Sequence, residues 1–436
     1  MVALLGPILA QMMTLSLSDR TEAREVVSDY KHAEVSTRPA ASMLMGWKHT
    51  NLTFGYAPSF TLMLPPKDDE QHLLVYHTAF AVLSYTTGRT TLVLNESASY
   101  GLLNFRQLTT APSVAGATAS NPNPNPNNPN NPNNGSQPLP IGTVLGGTAP
   151  SSGTNNGAVP PTRPVVSTTD QDVRFASLYS SIGFTRAATR NLAYGGDVGY
   201  SISGALDAAD RVLYPLIHGP RWSAFERYSW GHRDNVTTSA ALQYSAVSTG
   251  NSAWIASLTE TWGHRFSSHT AALIGVGLSG TRSPVPDNGT VVAYGIYPTV
   301  NAGLFESTTV ARGKLALGFT ANAAPAFDLT TLMIDPRVSL GALAGWTRRR
   351  FSTSATLGGA FSVGNTQYGN STNDQDSSVA LNLVTGSLTF GYVLGRVVSV
   401  DTGVRGAYQT YAGTTVIPLT YAVFAGVNFA TIWPFH

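Results

Sequence analysis

Asp207, Asp210 and His218 fall in one short stretch, DAADRVLYPLIHGP, and an acid beside an imidazole can activate water for hydrolysis. A serine hydrolase would also need a nucleophile elbow, and the chain has no G-x-S-x-G segment. His264 and His269 lie five positions apart, which reads more easily as two turn residues than as two ligands of one metal. There is no cysteine for a thiolate site, and no glycine-rich loop follows a strand and opens a helix to cradle phosphate. These residues therefore point to no catalytic group, no metal and no cofactor. What the chain does offer is carboxylates among aromatic rings, Glu226 with Trp222, Tyr228 and Trp230, and Glu260 with Trp254 and Trp262. Rings stack on sugar faces and carboxylates accept their hydroxyls, so Glu226, Trp230, Glu260 and Trp262 are candidate saccharide contacts.

The elements that must position these groups are strands. In RVSLGALAGW, Val338, Leu340, Ala342, Ala344 and Trp346 share one parity, and successive side chains of a strand point to opposite faces. FSTSATLGGAFSV and VVSVDTGVRGAYQ alternate in the same way, apolar against Ser, Thr and Gly. Period-two alternation predicts about sixteen strands between residues 50 and 431, with 14 to 18 allowed by the boundary error. On the polar faces stand a few charges, Asp197, Arg227, Lys314, Asp401 and Arg405, which are the candidate lumen-lining residues. Their simplest role is to pair and stiffen a wall; a field of opposed charges across a pore would instead orient polar solutes. Glu96, Glu226 and Glu260 break the pattern, because they share parity with apolar neighbours. A bulge that shifts the register would explain them, and so would faces that turn inward.

Composition decides what the apolar faces meet. Charged residues are 11% of the chain, against roughly a quarter in ordinary soluble domains. A soluble sandwich or propeller of 436 residues would need more charge outside, whereas a lipid-facing barrel would not. The formal net charge of +2 offers no dense basic face to nucleic acid. Only the first 17 residues approach the length of an apolar helical span, and Pro7, Gln11, Thr14 and Ser16 interrupt them. Residues 1–23 are expected to be signal-like or disordered, although they lack a positive start, and 24–49 a periplasmic segment. The charged run SDRTEAREVVSDYKHAE predicts a short solvated helix ahead of the barrel at 50–436.

The links carry independent information. Tight turns such as TGR, AATR and HRDN alternate with longer stretches such as PPKDDEQ and NTQYGNSTNDQDS. Two links fit less well: ESTTVARG is long for the tight side and STGN short for the other. Arginines (Arg89, Arg186, Arg190, Arg233, Arg265, Arg312, Arg348 to Arg350, Arg396) gather at the tight side, and aspartates at the long side. Short periplasmic turns and long external loops are how outer-membrane barrels are built, and an even strand count returns both termini to the periplasm. The Asn/Pro-rich stretch 106–171, centred on NPNPNPNNPNNPNN, reads as a disordered external loop; folded inward, it would be a constriction.

The carboxy-terminal VNFATIWPFH, an alternating strand that reaches an aromatic, together with the strands of 50–436, resembles the outer-membrane β-barrels of Gram-negative bacteria. It departs from the family's assembly signal in Pro434 and in His436 after Phe435. The layout also resembles the large barrels that accompany exopolysaccharide export. The resemblance implies an all-β transmembrane antiparallel barrel, porin-like, in contact with outer-membrane lipid, lipopolysaccharide and the barrel-assembly machinery. Polysaccharide and export components are the further partners it implies. The expected function is a channel for polar solutes, with exopolysaccharide the favoured cargo. The alternative is a plugged barrel serving as a surface scaffold or adhesion platform, with an outer-membrane hydrolase behind it.

Overall fold

The computed structural model describes residues 12–27, 31–64, 73–104, 172–208, 211, 215–248, 250–285, 288–327, 334–363, 381–411 and 417–435. Almost all of them are strand. The elements are β1 (Met12–Val27), β2 (Lys31–Thr37), β3 (Ala40–Gly46), β4 (Thr50–Leu64), β5 (Leu73–Thr87), β6 (Thr90–Asn104) and β7 (Asp172–Ala187). They continue as β8 (Leu192–Ala205), β9 (Ile217–Trp230), β10 (Asp234–Val247), β11 (Ser252–Arg265), β12 (Thr270–Val285) and β13 (Asn288–Val310). The last are β14 (Gly313–Phe327), β15 (Ile334–Arg348), β16 (Phe351–Ser362), β17 (Leu381–Val393), β18 (Val398–Tyr411) and β19 (Ile417–Phe435).

From β4 onward each strand pairs antiparallel with its sequence neighbour, and β19 returns to β1 from Met13↔Phe435 to Val27↔Tyr421. The sheet is thus closed. β2 and β3 are one wall position interrupted at Arg38–Pro39, since both pair with β1 and with β4 in an unbroken register. Pro39 has no N–H to give a ladder, and the break falls there. The wall therefore has 18 positions, two more than the central sequence expectation and within its range. At a strand spacing near 4.8 Å and a tilt near 40°, such a cylinder is roughly 35 Å across between backbone walls.

The two extra positions correct the reading of the amino-terminal region. The charged run expected as a solvated helix is β1 and β2, and 24–49, expected as a periplasmic segment, lies largely in the wall. Of the first 23 residues, 1–11 lie outside the described residues and 12–23 are strand. The Asn/Pro-rich stretch 106–171 also lies outside them.

The tight side is as expected, and one misfit resolves. β13 continues to Val310, so ESTTVARG shrinks to a turn at Ala311 and Arg312, both in the left-handed region (φ 51° and 64°). Two consecutive positive φ values define the type I′ turn whose twist suits a tight hairpin.

Parity separates two surfaces. Leu, Val, Phe, Tyr and Trp such as Leu94, Ile182, Val198, Leu258, Val276, Leu278 and Leu357 are exposed on the outer face. Thr237, Thr259, Ser279, Thr281 and Thr299 are buried on the inner face, where side chains converge. Tyr85, Tyr228, Trp230, Trp262, Tyr392 and Trp433 ring the tight-turn side outside; Tyr56, Tyr100, Tyr200, Tyr244 and Tyr421 ring the loop side. An apolar band between two aromatic girdles is the outside of a membrane barrel. The fold is an all-β, closed, antiparallel, porin-like barrel, and its place is the outer membrane.

Candidate functional site: the lumenal wall

Much of the inner face is polar. Hydroxyls bond to one another across strands, Ser239 with Thr259 at 2.7 Å, Thr356 with Ser387 at 2.6 Å, and Tyr76 donating to Ser99 at 2.6 Å. Such rows leave spare lone pairs for water or for sugar hydroxyls.

All five lumen candidates lie on the inner face. Asp197 of β8 accepts from Ser223 of β9 and pairs with Arg221 at 3.4 Å, whose guanidinium lies 4.6 Å over the Tyr179 ring. Arg227 of β9 is half-buried and its Nε reaches Thr237 Oγ1 at 3.4 Å. Lys314 is exposed near the tight-turn end of β14. Asp401 and Arg405, both on β18, do not pair with each other. Arg20 Nη2 of β1 donates to Asp401 Oδ2 at 2.7 Å, Asn428 Nδ2 donates to Asp401 Oδ1 at 2.5 Å, and Arg405 pairs with Glu22. These contacts reach from β18 over β19 to β1. They can do so because Gly426, which faces both Glu22 and Asp401 in register, has no side chain to block the crossing.

The network extends along β1 and β2. Arg20 Nη2 also meets Glu22 at 2.9 Å, Arg24 pairs with Glu34 directly across the ladder, and His32 Nε2 lies 2.8 Å from Glu34 Oε1. Sequence reading put Arg20, Glu22, Arg24, His32 and Glu34 in a solvated helix and did not single out Arg38, so none of them was expected on the lumen wall. The signal was present in R-T-E-A-R and H-A-E, charges at period two with small residues between.

The saccharide-contact candidates lie elsewhere. Glu226 and Trp230 on β9, and Glu260 and Trp262 on β11, project from the outer face. The register through them is continuous, Glu226↔Thr238↔Glu260, with neither the expected bulge nor an inward turn. Their proposed contact with sugar inside the bore is therefore corrected: these groups face away from it. Glu96, also outward, accepts from Ser180 Oγ at 2.7 Å. Trp262 Nε1 donates to Asp234 at 3.1 Å and His264 bonds the same carboxylate at 2.7 Å, an interfacial cluster at the tight-turn girdle.

The hydrolytic and metal candidates lie as follows. His218 bonds Tyr200 Oη at 2.8 Å on the outer face, Asp207 is exposed on the link beyond β8, and Asp210 lies outside the described residues. His264 and His269 form no metal cluster with other ligands among the described residues.

The two ends of the lumen differ. Met63, Leu74, Val173, Ala205, Val247 and Ala253 all face inward at the long-link end, and all are buried. Ile217, Ile255 and Tyr297 pack against the last two. Buried apolar side chains thus lie along the loop-side end of the wall beside buried polar ones such as Glu34, Thr61 and Ser245, whereas Lys314 near the turn side stays exposed.

A family model described as the EpsX exopolysaccharide export family matches residues 131–430. No curated protein matches the chain. Among solved structures, OccAB3 of Acinetobacter baumannii is similar at 8% identity and TM-score 0.48, over 97% of this chain and 99% of that one. The outer-membrane protein opdK of Pseudomonas aeruginosa is similar at 8% identity and TM-score 0.47, over 98% and 100%.

Proposed function

This chain belongs to the EpsX exopolysaccharide export family, and from that premise we propose that it is the outer-membrane channel through which polar solutes, polysaccharide foremost, cross. One observation carries the reading: a closed wall of 18 positions whose inner face, among the described residues, is mainly hydroxyl, small and charged side chains. Barrels of sixteen to eighteen strands enclose water unless something fills them. The work of the protein is passage, with no catalytic step assigned to any residue. The termini of the barrel, at the tight-turn end, face the periplasm, where export components meet the chain; lipid, lipopolysaccharide and the assembly machinery are its other partners.

Planar-bilayer recording of the purified protein tests this. Steady openings of large conductance support the channel, and a barrel that is silent both with and without residues 115–165 refutes it. The apolar cluster of Val247, Ala253, Ile217, Ile255 and Tyr297 at the loop-side end favours a second reading, a barrel closed at its external end that works as a surface platform. Deleting residues 115–165 separates the two: openings that appear or grow after deletion show a constriction, and unchanged silence favours the platform.

A further inference from the structure

The ion network beside the closing seam is layered. Arg20 keeps 40% of its side chain exposed while its partners Glu22 and Asp401 keep 6% and 10%. Arg405 keeps 22% over the same Glu22. The carboxylates lie beneath and the guanidinium groups lie on top, so the bore meets positive charge although acids are close by. The balance of charge agrees: Arg20, Arg24, Arg38 and Arg405 stand against Glu22, Glu34 and Asp401. Hydrogen-bond capacity is also left over. The Nε groups of Arg20, Arg38 and Arg405 and Nη1 of Arg24 have no acceptor among the described residues, but they are buried, so it is the exposed edges of Arg20 and Arg405 that face the bore. Buried donors of this kind are costly unless something satisfies them. Phe424 orients the site, with the Arg405 guanidinium 4.4 Å and that of Arg20 6.0 Å from its ring centre. A guanidinium held against a ring still presents its N–H edge, which matches a planar oxyanion in bidentate fashion.

We propose that Arg20 and Arg405, held by Phe424, form an anion subsite on the lumen wall that takes the carboxylate of uronic-acid units in a passing polysaccharide. This rests on the channel reading for its cargo, but binding is measured without conduction. Titration calorimetry in zwitterionic detergent at low salt would compare hexagalacturonate, maltohexaose and inorganic phosphate. The wild-type protein should bind the uronate at least tenfold more tightly than the neutral hexasaccharide, and lose most of that preference in high salt. Arg405→Gln should weaken uronate binding about tenfold or more. Asp401→Asn should tighten it several-fold, because it releases Arg20 and removes a competing charge. Loss of structure would weaken binding in both variants, so opposite shifts are the signature; shifts of the same sign overturn the subsite. Equal affinity for the neutral sugar overturns it too, as does phosphate binding as tight as the uronate, which would mark a general anion site. A barrel that conducts without preferring uronate keeps the channel reading and loses this one, and a barrel silent with and without residues 115–165 that binds uronate does the reverse.

Discussion

Arg24→Met isolates the most enclosed ion pair among the described residues. Arg24 and Glu34 are directly opposed on β1 and β2, with side chains 2% and 0% exposed. Removing one partner of such a pair leaves an uncompensated buried charge, which costs about 3–5 kcal/mol. For Arg24→Met the lower end applies, about 3 kcal/mol, because His32 still bonds Glu34 at 2.8 Å. Glu34→Leu leaves the Arg24 guanidinium without its carboxylate and belongs near the upper end, about 4–5 kcal/mol. The double variant removes both charges and should cost only about 1–2 kcal/mol, mostly because His32 is deprived of its acceptor on Glu34. The assay is urea unfolding in lipid vesicles followed by tryptophan fluorescence, with gel mobility of the unheated barrel as the check on closure. A strongly non-additive cycle is the expected result. Single variants that each cost under about 1 kcal/mol and simply add in the double would refute the claim that the pair is desolvated.

Other perturbations test other parts of the structure. Glu226→Leu with Glu260→Leu removes two carboxylates from the lipid-facing band, and each should stabilise the vesicle-embedded barrel by about 1–2 kcal/mol, read as a shift in the unfolding midpoint; unchanged stability would mean that these groups do not meet hydrocarbon. Trp230→Ala and Trp262→Ala should leave single-channel conductance unaltered while lowering thermal stability in lipid, since both rings lie outside the bore. Ala311→Asn with Arg312→Gly should raise stability by about 1 kcal/mol in the same urea assay, because the turn holds two ordinary residues at positive φ. Gly426→Val should weaken closure of the barrel, visible as loss of the compact gel form, because a Cβ there would already lie 3.1 Å from Asp401 Oδ1.

The barrel was legible because lipid on one side and water on the other impose a period of two that survives in each strand separately. β15 and β16 show it residue by residue, in Val338 to Trp346 and in Phe351 to Phe361. β1 and β2 hid because their inner face carries Arg and Glu in place of Ser and Thr, and in isolation R-T-E-A-R reads as a solvated helix. The partners that make those charges tolerable, Asp401 and Arg405, are 381 and 383 positions away and come near only when the cylinder closes. The outward glutamates failed for the opposite reason. Parity placed them correctly, and the cost of a carboxylate in lipid argued for a bulge that the continuous ladder does not contain.

The sequence by itself determined that the chain alternates apolar and polar over most of its length, turns tightly on one side, and carries too little charge for an aqueous exterior. Those are local properties, set by neighbours along the chain and by the solvents on its two faces. Only the tertiary structure decided which charges meet, that guanidinium groups cover carboxylates at the seam, and that Val247, Ala253, Ile217, Ile255 and Tyr297 cluster at the loop-side end. Each of these depends on strands brought together by closure, and a residue's own surroundings in the chain contain no record of them.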